Sequence, residues 1–508
     1  IGMTIPELKG KLTNNGIVTG IGYGIDFITT PSVAAESLIN TGVIYGKYCV
    51  ISISEGTLKN LSNYGLLVTG GDKVIDESGT ITAQDNYGLA FKVVSTGKYS
   101  AKDEAGDSDF AKFGTTDEKD GYTVINGKAE GADKDNITGT DSLTLEGGTL
   151  SYKDSNGNDQ TQSISLDKKY VLNGITDTLV VSTGNNKLDN SVVNAYTTAI
   201  KFKSTGGNLT LSETVVNGGA DGSDVVIGSD EVDNLTLEGK SRINGKISMG
   251  KENDTLTVGS GAIINGAVDG EAGDDTLNFG ETGITKAKAA SSNNEIRIQH
   301  DISNFENINV NSNVTFYETG VAVTGVNNLT IGKNGVLTLR IDGANSNSHA
   351  LSSGNTGTIS SKEGGKLLLA LNGVGNSATV SFGDLTLDDS LKTGHEAEYQ
   401  RDVTLETTSV LHSVKRGTGT NDLEITARVN LPYSPNLRYE KLNKIYHSIV
   451  SVEDLLGNFN VDDDAKLSTF LGYLNDIYAG NPYSYSSELS RKSAGMFRDI
   501  VTENIFKP

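Results

Sequence analysis

Three aspartates that recur at a fixed interval are the first residues whose chemistry could serve an active site. Asp233, Asp254 and Asp275 are spaced by 21 residues, and each precedes a short apolar–polar alternation. Carboxyl groups in pairs hydrolyse glycosidic bonds, so an exposed row of them would suit a polysaccharide-degrading enzyme. Neighbouring carboxylates repel each other unless they face solvent or are neutralised. Because aspartate is also a common turn residue before a strand, we expect a turn-forming role and keep the enzyme as the alternative.

A calcium motif is the second possibility. The segment GEAGDDTL, residues 270–277, is similar to one calcium-binding nonapeptide of the G-G-x-G-x-D type. Glu271 replaces the second glycine, and an interval of 21 residues does not fit nine-residue coils. The alternative is that Asp274 and Asp275 are turn residues beside a strand. We expect no metal site and no cofactor, and calcium binding near these two aspartates stays open.

Nucleophile and metal-ligand motifs are the third kind of chemistry. Gly106-Asp107-Ser108 resembles the nucleophile motif of serine proteases, but Asp109 replaces the glycine that the oxyanion turn needs, and no histidine is near. HExxH, GxSxG and phosphate-loop motifs are absent. The sequence therefore predicts a protein that is not an enzyme, has no catalytic residues and takes no small-molecule substrate. No two of the histidines have the spacing of metal ligands; they are His300, His349, His395, His412 and His447.

Internal repeats show which elements position these residues. The 21-residue interval aligns whole phrases, and an interval of 23 residues does the same nearer the N-terminus. Such periods are typical of solenoids, in which one turn stacks on the next. The aligned columns are Leu235, Leu256 and Leu277; Leu237, Val258 and Phe279; Ile243-Asn244-Gly245 and Ile264-Asn265-Gly266; and Asn40, Asn63 and Asn86.

Strand patterning and proline placement predict one fold for most of the chain. Within each repeat, apolar residues alternate with polar ones over three to five positions, which indicates short strands with one buried face. No proline lies between positions 32 and 431, as expected where every strand donates its N–H groups to ladders. We predict an all-β fold, a right-handed parallel β-helix over residues 1–430, with about 17–19 turns and a length of about 80–90 Å. Stacked asparagines should form hydrogen-bonded ladders along it.

Two stretches interrupt this stem. Residues 98–135 hold 16 charged residues among 38, which predicts a charged insertion, and residues 343–365 are rich in Ser, Gly and Asn, which predicts a solvated polar loop. Both could be tolerated surface loops or contact surfaces for a partner. The net charge of −22 disfavours nucleic acid as a partner. Cys49 lies in strand-like text and is expected to be a buried small hydrophobe.

The C-terminal part has a different pattern. Residues 431–508 contain three amphipathic stretches with apolar residues at helical spacing, so we predict a helical connector there.

Stem and connector together resemble the passenger of type V (autotransporter) secreted proteins of Gram-negative bacteria, and in particular the large fusobacterial autotransporter adhesins. The resemblance is carried by NNGIVTG, NTGVIYG, NNLTIGKNGVLTL, GTGTNDLEITARVN and the stretch from Leu437 to about Phe506. It implies a membrane-proximal passenger fragment on the bacterial surface, anchored by its own outer-membrane barrel. No signal-peptide pattern and no barrel strands occur in the sequence given.

The resemblance implies an adhesin that attaches to host or bacterial cells through a surface protein or a glycan. A second possibility is a structural stem and folding core, with adhesion carried further upstream. The repeats themselves specify architecture and do not name a receptor, so both possibilities remain.

Overall fold

The computed structural model describes most of the chain up to residue 427. The described residues are 2–28, 34–71, 73–95, 98–100, 121–131, 137–154, 156–280, 295–333, 335–374, 377–393, 403–409 and 412–427. They form an all-β, parallel β-solenoid of about 12 turns and contain no helix. This confirms the predicted fold class. The predicted helical connector at 431–508 lies outside the described residues, as do residues 101–120 of the predicted charged insertion.

The number of turns is smaller than the 17–19 expected. Dividing 430 residues by the repeat length overestimates the number of turns, because some segments lie between turns and do not belong to any of them. One example is the antiparallel meander of Leu143–Glu146, Thr149–Lys153 and Asp159–Ser163, whose last two strands add to the end of one sheet without completing a turn. A period read from sequence fixes the size of a turn, whereas insertions fix how many turns the chain can make.

The chain divides into two compact units. Unit 1 comprises Ile1–Thr282 and Ser292–Asn307, and unit 2 comprises Gly283–Ser291 and Ile308–Pro508. Unit 1 itself contains two stacks of turns, which we call the first stack and the second stack.

The first stack has three parallel sheets, each adding one strand per turn, and short Gly- and Asn-containing corners between them. Its sheets are β1 (Met3–Ile5), β4 (Tyr23–Phe27), β7 (Cys49–Ile53) and β10 (Lys73–Glu77); β2 (Lys11–Asn14), β5 (Ala34–Asn40), β8 (Thr57–Asn63) and β11 (Thr80–Asn86); and β3 (Ile17–Gly20), β6 (Val43–Gly46), β9 (Leu66–Thr69) and β12 (Leu89–Ser95). The third sheet continues with antiparallel strands β13 (Lys98–Ser100), β15 (Ala129–Gly131) and β16 (Ile137–Thr140).

The second stack repeats this plan over residues 122–307. Its first sheet is β14 (Tyr122–Asn126), β20 (Lys169–Asn173), β23 (Val192–Asn194), β26 (Val215–Asn217), β29 (Arg242–Asn244) and β32 (Ile263–Ile264). The second sheet is β19 (Asp159–Ser163), β18 (Thr149–Lys153), β17 (Leu143–Glu146), β21 (Leu179–Val181), β24 (Ile200–Phe202), β27 (Val226–Ser229), β30 (Ile247–Gly250), β33 (Val268–Asp269) and β36 (Ile302–Ser303). The third sheet includes β22 (Asn185–Asp189), β25 (Gly207–Ser212), β28 (Asp233–Glu238), β31 (Thr255–Val258) and β34 (Thr276–Phe279), and β35 (Ile296–Ile298) and β37 (Asn307–Val310) follow in the chain.

Register in the second stack confirms the columns expected from the repeats. Leu235, Leu256 and Leu277 are paired across β28, β31 and β34, and the next inward column is Leu237, Val258 and Phe279. All six side chains are buried. Alternate positions of each strand therefore fill a narrow aliphatic core, as the period-two pattern predicts. Cys49 is buried too, as expected.

The side-by-side packing of the two stacks was not predicted. Asparagine side chains of the second stack donate to main-chain carbonyls of the first. The accepting residues come earlier in the chain as the asparagines come later, which shows that the two stacks run in opposite directions. The pairs are Asn173 with Tyr87, Asn194 with Tyr64, and Asn217 with Thr41. Apolar side chains close the rest of this contact, where the Tyr64 and Tyr87 rings stack with centroids 5.3 Å apart. The chain therefore doubles back within unit 1 rather than running as one continuous stem.

Unit 2 is built from further parallel strands and one antiparallel sheet. Its strands are β38 (Asn313–Phe316), β41 (Val336–Asp342), β43 (Lys366–Asn372) and β46 (Leu405–Thr407); β40 (Asn328–Ile331), β42 (Thr358–Ser361) and β45 (Thr386–Leu387); β39 (Val323–Thr324); and the antiparallel β44 (Ser377–Ser381), β48 (Asp422–Ala427) and β47 (His412–Arg416). The predicted solvated loop 343–365 contains β42, and the Asn355 side chain is buried, bonding to Val323 O and Val326 N–H. That segment is therefore packed in part, because its asparagine satisfies main-chain groups of the preceding turn.

Candidate functional site

The aspartate column is an interior feature and not an exposed row. Asp233 begins β28, and Asp254 and Asp275 stand immediately before β31 and β34. Their relative exposures are 0%, 1% and 0%. An acid or base acting on a polysaccharide must reach its substrate, so these three residues cannot form the carboxyl row of a carbohydrate-cleaving enzyme.

Hydrogen bonds explain why aspartate occupies this corner in successive turns. The Asp254 main-chain N–H donates to Asp275 Oδ1 at 2.7 Å, and the Asp233 N–H donates to Asp254 Oδ1 at 2.7 Å. At one end of the column, Asp233 accepts from Gly207 N–H and Ser229 N–H; at the other, Glu306 accepts from Asp275 N–H. Each carboxyl thus satisfies the main-chain donor at the start of the preceding turn's strand, which links successive turns and differs from the local turn-forming role expected from the sequence.

Two carboxyl oxygens of the column have no hydrogen-bond partner: Oδ2 of Asp254 and Oδ2 of Asp275. Burial raises the pKa of Asp254 from 3.8 to about 8, against the lowering effect of the bond from Asp233, and the charges of its neighbours raise it further. Burial likewise raises the pKa of Asp233 and of Asp275 to about 6. Asp254 is therefore neutral near pH 7, which removes the like-charge repulsion expected of a stacked acidic column.

The possible calcium site has no convergent ligand set. Asp274 is exposed; its N–H donates to Asn253 Oδ1, and its Oδ1 accepts from Asn307 Nδ2 at 2.7 Å. Asp275 points into the column described above. In the part of the chain that the structure describes, no three His, Cys, Asp or Glu side chains come together so as to hold a metal ion. The glycines of GEAGDDTL have a packing reason instead, because a Cβ on Gly273 would lie 1.8 Å from Glu252 O.

Tertiary structure brings one serine and one histidine together that the sequence did not pair. Ser409 Oγ and His412 Nδ1 are 2.8 Å apart, and both residues are buried. Thr407 Oγ1 bonds to the carbonyls of the same two residues, so the three side chains brace the corner between β46 and β47. Both side chains are buried, which favours a structural role for this corner.

The other sequence candidates are placed as follows. His349 Nδ1 accepts a hydrogen bond from Leu351 N–H, and its Nε2 lies 3.0 Å from Ser381 O, to which it donates. Burial lowers the pKa of His349 to about 4, so this histidine is a neutral residue of the core. His300 is exposed. Ser108, His395 and His447 lie outside the described residues.

A cluster of outward-facing side chains on unit 2 is a candidate binding surface. Arg340 Nε donates to both carboxyl oxygens of Asp342, at 3.0 and 3.1 Å, and Asn372 Nδ2 donates to Asp342 Oδ1. The Arg340 guanidinium lies 4.9 Å from the ring centre of Tyr317, which is 47% exposed. We call Tyr317, Arg340, Asp342 and Asn372 the tyrosine–arginine cluster. Sequence reasoning missed it because Tyr317 follows β38, Arg340 and Asp342 lie on β41, and Asn372 lies on β43, so that only the register brings the four residues together.

No family model, curated protein or solved structure matches this chain. Across the described residues, no helix is both long and apolar enough to cross a membrane.

Proposed function

We propose that the chain is the surface-exposed passenger fragment of an autotransporter adhesin, which attaches the bacterium to host or bacterial cells through a protein or glycan receptor. In this proposal it is anchored to the outer membrane by its own barrel. The tyrosine–arginine cluster is the observation that carries the proposal. It lies on the outward side of β41 and β43 and combines an exposed aromatic ring with guanidinium, carboxylate and amide groups in one hydrogen-bonded set.

The chemistry of that cluster suits a polar surface ligand. An aromatic ring offers a flat apolar face to the C–H groups of a sugar or to an apolar side chain. Arginine held by a carboxylate keeps its other N–H donors in a fixed fork, and asparagine adds a donor and an acceptor. Because Asp342 already orients both Arg340 and Asn372, little side-chain entropy is lost on binding.

Attachment of purified full chain to host cells and to a glycan array tests the proposal. Tyr317→Ser should lower cell attachment at least tenfold, while Tyr48→Ser, which removes another exposed tyrosine far along the chain, should leave it unchanged. Equal attachment by both variants and the parent would exclude this face. No attachment by the parent to any cell or glycan would overturn the adhesin proposal.

A structural stem is the second candidate, and the doubled stacks of unit 1 favour it. Two stacks joined by asparagines at four successive turns form a stiff body suited to a stalk or folding core. This candidate predicts a full chain that resists proteolysis over residues 2–95 and 137–280 yet attaches to nothing. Early cleavage inside those strands would contradict it.

A further inference from the structure

The strand β19 forms one edge of the second sheet of the second stack. β18 pairs with one side of β19 over five residues without a register shift, and no described strand pairs with its other side. The turns of the stack continue from β17 to β21, away from β19. Because the meander lies in the middle of the sequence, this edge does not depend on where the chain begins or ends.

Alternate residues of β19 direct their main-chain N–H and C=O groups away from β18. At the two ends of this hairpin ladder, Asn158 O accepts a main-chain N–H, and Ile164 N–H donates to a main-chain carbonyl. Hydrogen-bonded and non-hydrogen-bonded pairs alternate along antiparallel strands, so the even-numbered residues of β19 bond to β18. The main-chain groups of Asp159, Thr161 and Ser163 therefore point to the outer side, where they bond to no described residue.

Other antiparallel edges of the described structure carry devices that prevent pairing with another chain, such as a charge, a bulge or a covering segment. On β44, main-chain groups of Thr379 and Ser381 bond to the side chains of Ser346, Asn347 and His349. β15 is three residues long and its register shifts, and β47 contains a lysine and an arginine. β19 is regular, lacks lysine and proline, and is uncharged at its three central residues.

The sequence of β19 is complementary to itself in the antiparallel direction. Two copies related by a two-fold axis through the central threonine place residues of matching chemistry opposite each other. The pairs are Thr161 with Thr161, Gln160 with Gln162, and Asp159 with Ser163 of the second copy. Hydroxyl and amide side chains can hydrogen-bond across such pairs. The outward main-chain groups then meet in three pairs, which exchange about six hydrogen bonds in all.

Charge favours the antiparallel direction and a second copy as the partner. A parallel pairing in register would set Asp159 against Asp159 at about 4.8 Å, whereas the antiparallel pairing separates these carboxylates by about 13 Å along the strands. Each Asp159 also pairs with Lys153 of its own chain, with 3.1 Å between Nζ and Oδ1. In a chain with a net charge of −22, an edge without net charge is where two copies approach with the least repulsion.

We propose that β19 is a homotypic interface, at which two copies of the chain pair their β19 strands antiparallel about Thr161. The two meanders then form one continuous sheet, in which main-chain hydrogen bonds supply affinity and the threonine and glutamine pairs fix the register. The contact is small, so the dimer is reversible and its population rises with concentration. This partner is independent of the receptor in the proposed function.

Sedimentation equilibrium of the purified full chain tests the association, and Thr161→Lys tests the edge. The parent should show a monomer–dimer equilibrium at micromolar concentration. Thr161→Lys should raise the dissociation constant at least tenfold, because two lysines would stand directly opposite each other. The Thr161 side chain is exposed, so the melting temperature should stay that of the parent. Thr161→Ser keeps the hydroxyl and is the matched control, which should dimerise like the parent.

Cysteine cross-linking tests the register of the pair. In antiparallel pairs that exchange hydrogen bonds the Cα atoms are about 5.5 Å apart, a separation that a disulfide spans. Thr161→Cys should therefore form a covalent dimer when oxidised glutathione takes up the two electrons that the two thiols lose. Ser163→Cys is the control, since its thiol would lie opposite Asp159 of the second copy. Cys49, the only cysteine of the chain, is buried.

A chain that stays monomeric up to millimolar concentration would overturn the inference. A dimer whose dissociation constant is the same in the parent and in Thr161→Lys would do so too. Equal rates of covalent dimer formation by Thr161→Cys and Ser163→Cys would overturn the antiparallel pairing about Thr161.

Discussion

Unit 1 contains two kinds of column of identical polar residues, an asparagine ladder in each stack and one column of aspartates, and the two kinds differ in whether all their hydrogen-bonding groups find partners. Along each asparagine ladder the side chains form a chain of donors and acceptors. In the first stack each asparagine donates to the one in the following turn, and in the second stack each donates to the one in the preceding turn. Along the aspartate column the side chains do not bond to one another. Each accepts a main-chain N–H, and two oxygens remain without a partner.

The difference follows from the side-chain groups. An amide has both a donor and an acceptor, so identical amides spaced one turn apart can pair indefinitely. An ionised carboxyl only accepts, so identical carboxylates must find donors elsewhere or take up protons. A repeated sequence stacks asparagine or aspartate equally well. In the buried interior, however, only the asparagine column is stable without a change of protonation.

The largest effect is expected where an asparagine of the second-stack ladder also bonds to the main chain of the first stack. Asn194 is buried and donates to Tyr64 O and to Asn173 Oδ1, while its own Oδ1 accepts from Asn217. Asn194→Leu would leave those partners unsatisfied and should lower the free energy of unfolding by about 3 kcal/mol.

Asn208→Leu supplies the control for that change. Asn208 also accepts from an asparagine one turn away, Asn234, but this pair is exposed to solvent. Its replacement should change stability by less than about 0.5 kcal/mol, since water satisfies the partner that remains. If chemical denaturation gave equal losses for both variants, burial of the ladder would not be the source of its strength.

The buried aspartate column should make the stability of the fold depend on pH. The pKa of Asp254 is about 8 in the folded chain against 3.8 as its ordinary value, so between those values the folded state binds more protons than the unfolded state. Stability must therefore fall as pH rises from about 4 to 8, in the direction opposite to that of a salt-bridged aspartate. Asp233 and Asp275, raised to about 6, add to the fall up to about that pH.

Asp254→Asn removes that titration and keeps the side-chain shape. It should raise stability by about 2 kcal/mol at pH 8.5 and change it little at pH 5. Asp159→Asn, at an exposed aspartate of β19 outside the column, is the control variant. A parent chain that melts at higher temperature at pH 8.5 than at pH 5 would show that Asp254 is ionised in the fold.

The smallest effect is expected from opposite charges stacked on the outer surface. Lys251 and Asp230, one turn apart, form an ion pair of 3.0 Å with side chains 64% and 72% exposed. Lys251→Met should cost less than about 0.5 kcal/mol and should do so only at low salt, since exposed pairs are screened. The free energy of unfolding of Lys251→Met should be measured at several salt concentrations. A loss as large as that of Asn194→Leu would show that interior and surface columns contribute equally to stability.

Local sequence was a good guide wherever a feature depended on neighbours one turn away. The columns through Leu256 and Asn63 and the buried Cys49 follow from the repeat and the strand pattern. The sequence was a poor guide to the number of turns, because insertions carry no period.

Burial of the aspartates was beyond sequence reasoning for a related reason. Asp254 and the exposed Asp274 both stand just before a strand in D-T-L or D-D-T-L text. Only the inward or outward direction of each side chain at the corner separates a neutral buried acid from a solvated one, and that direction depends on how the turns are stacked.

The sequence by itself determined that this chain forms a stack of short parallel strands with an aliphatic core, because one repeated phrase per turn contains the strand pattern, the corner residues and the ladder asparagines. Only the tertiary structure decided that the first stack doubles back along the second, and that Arg340 and Asn372 share Asp342 with Tyr317 beside them. These contacts join residues up to 229 positions apart. No local periodicity specifies them, since they depend on which faces of separate turns fit together once each turn has formed.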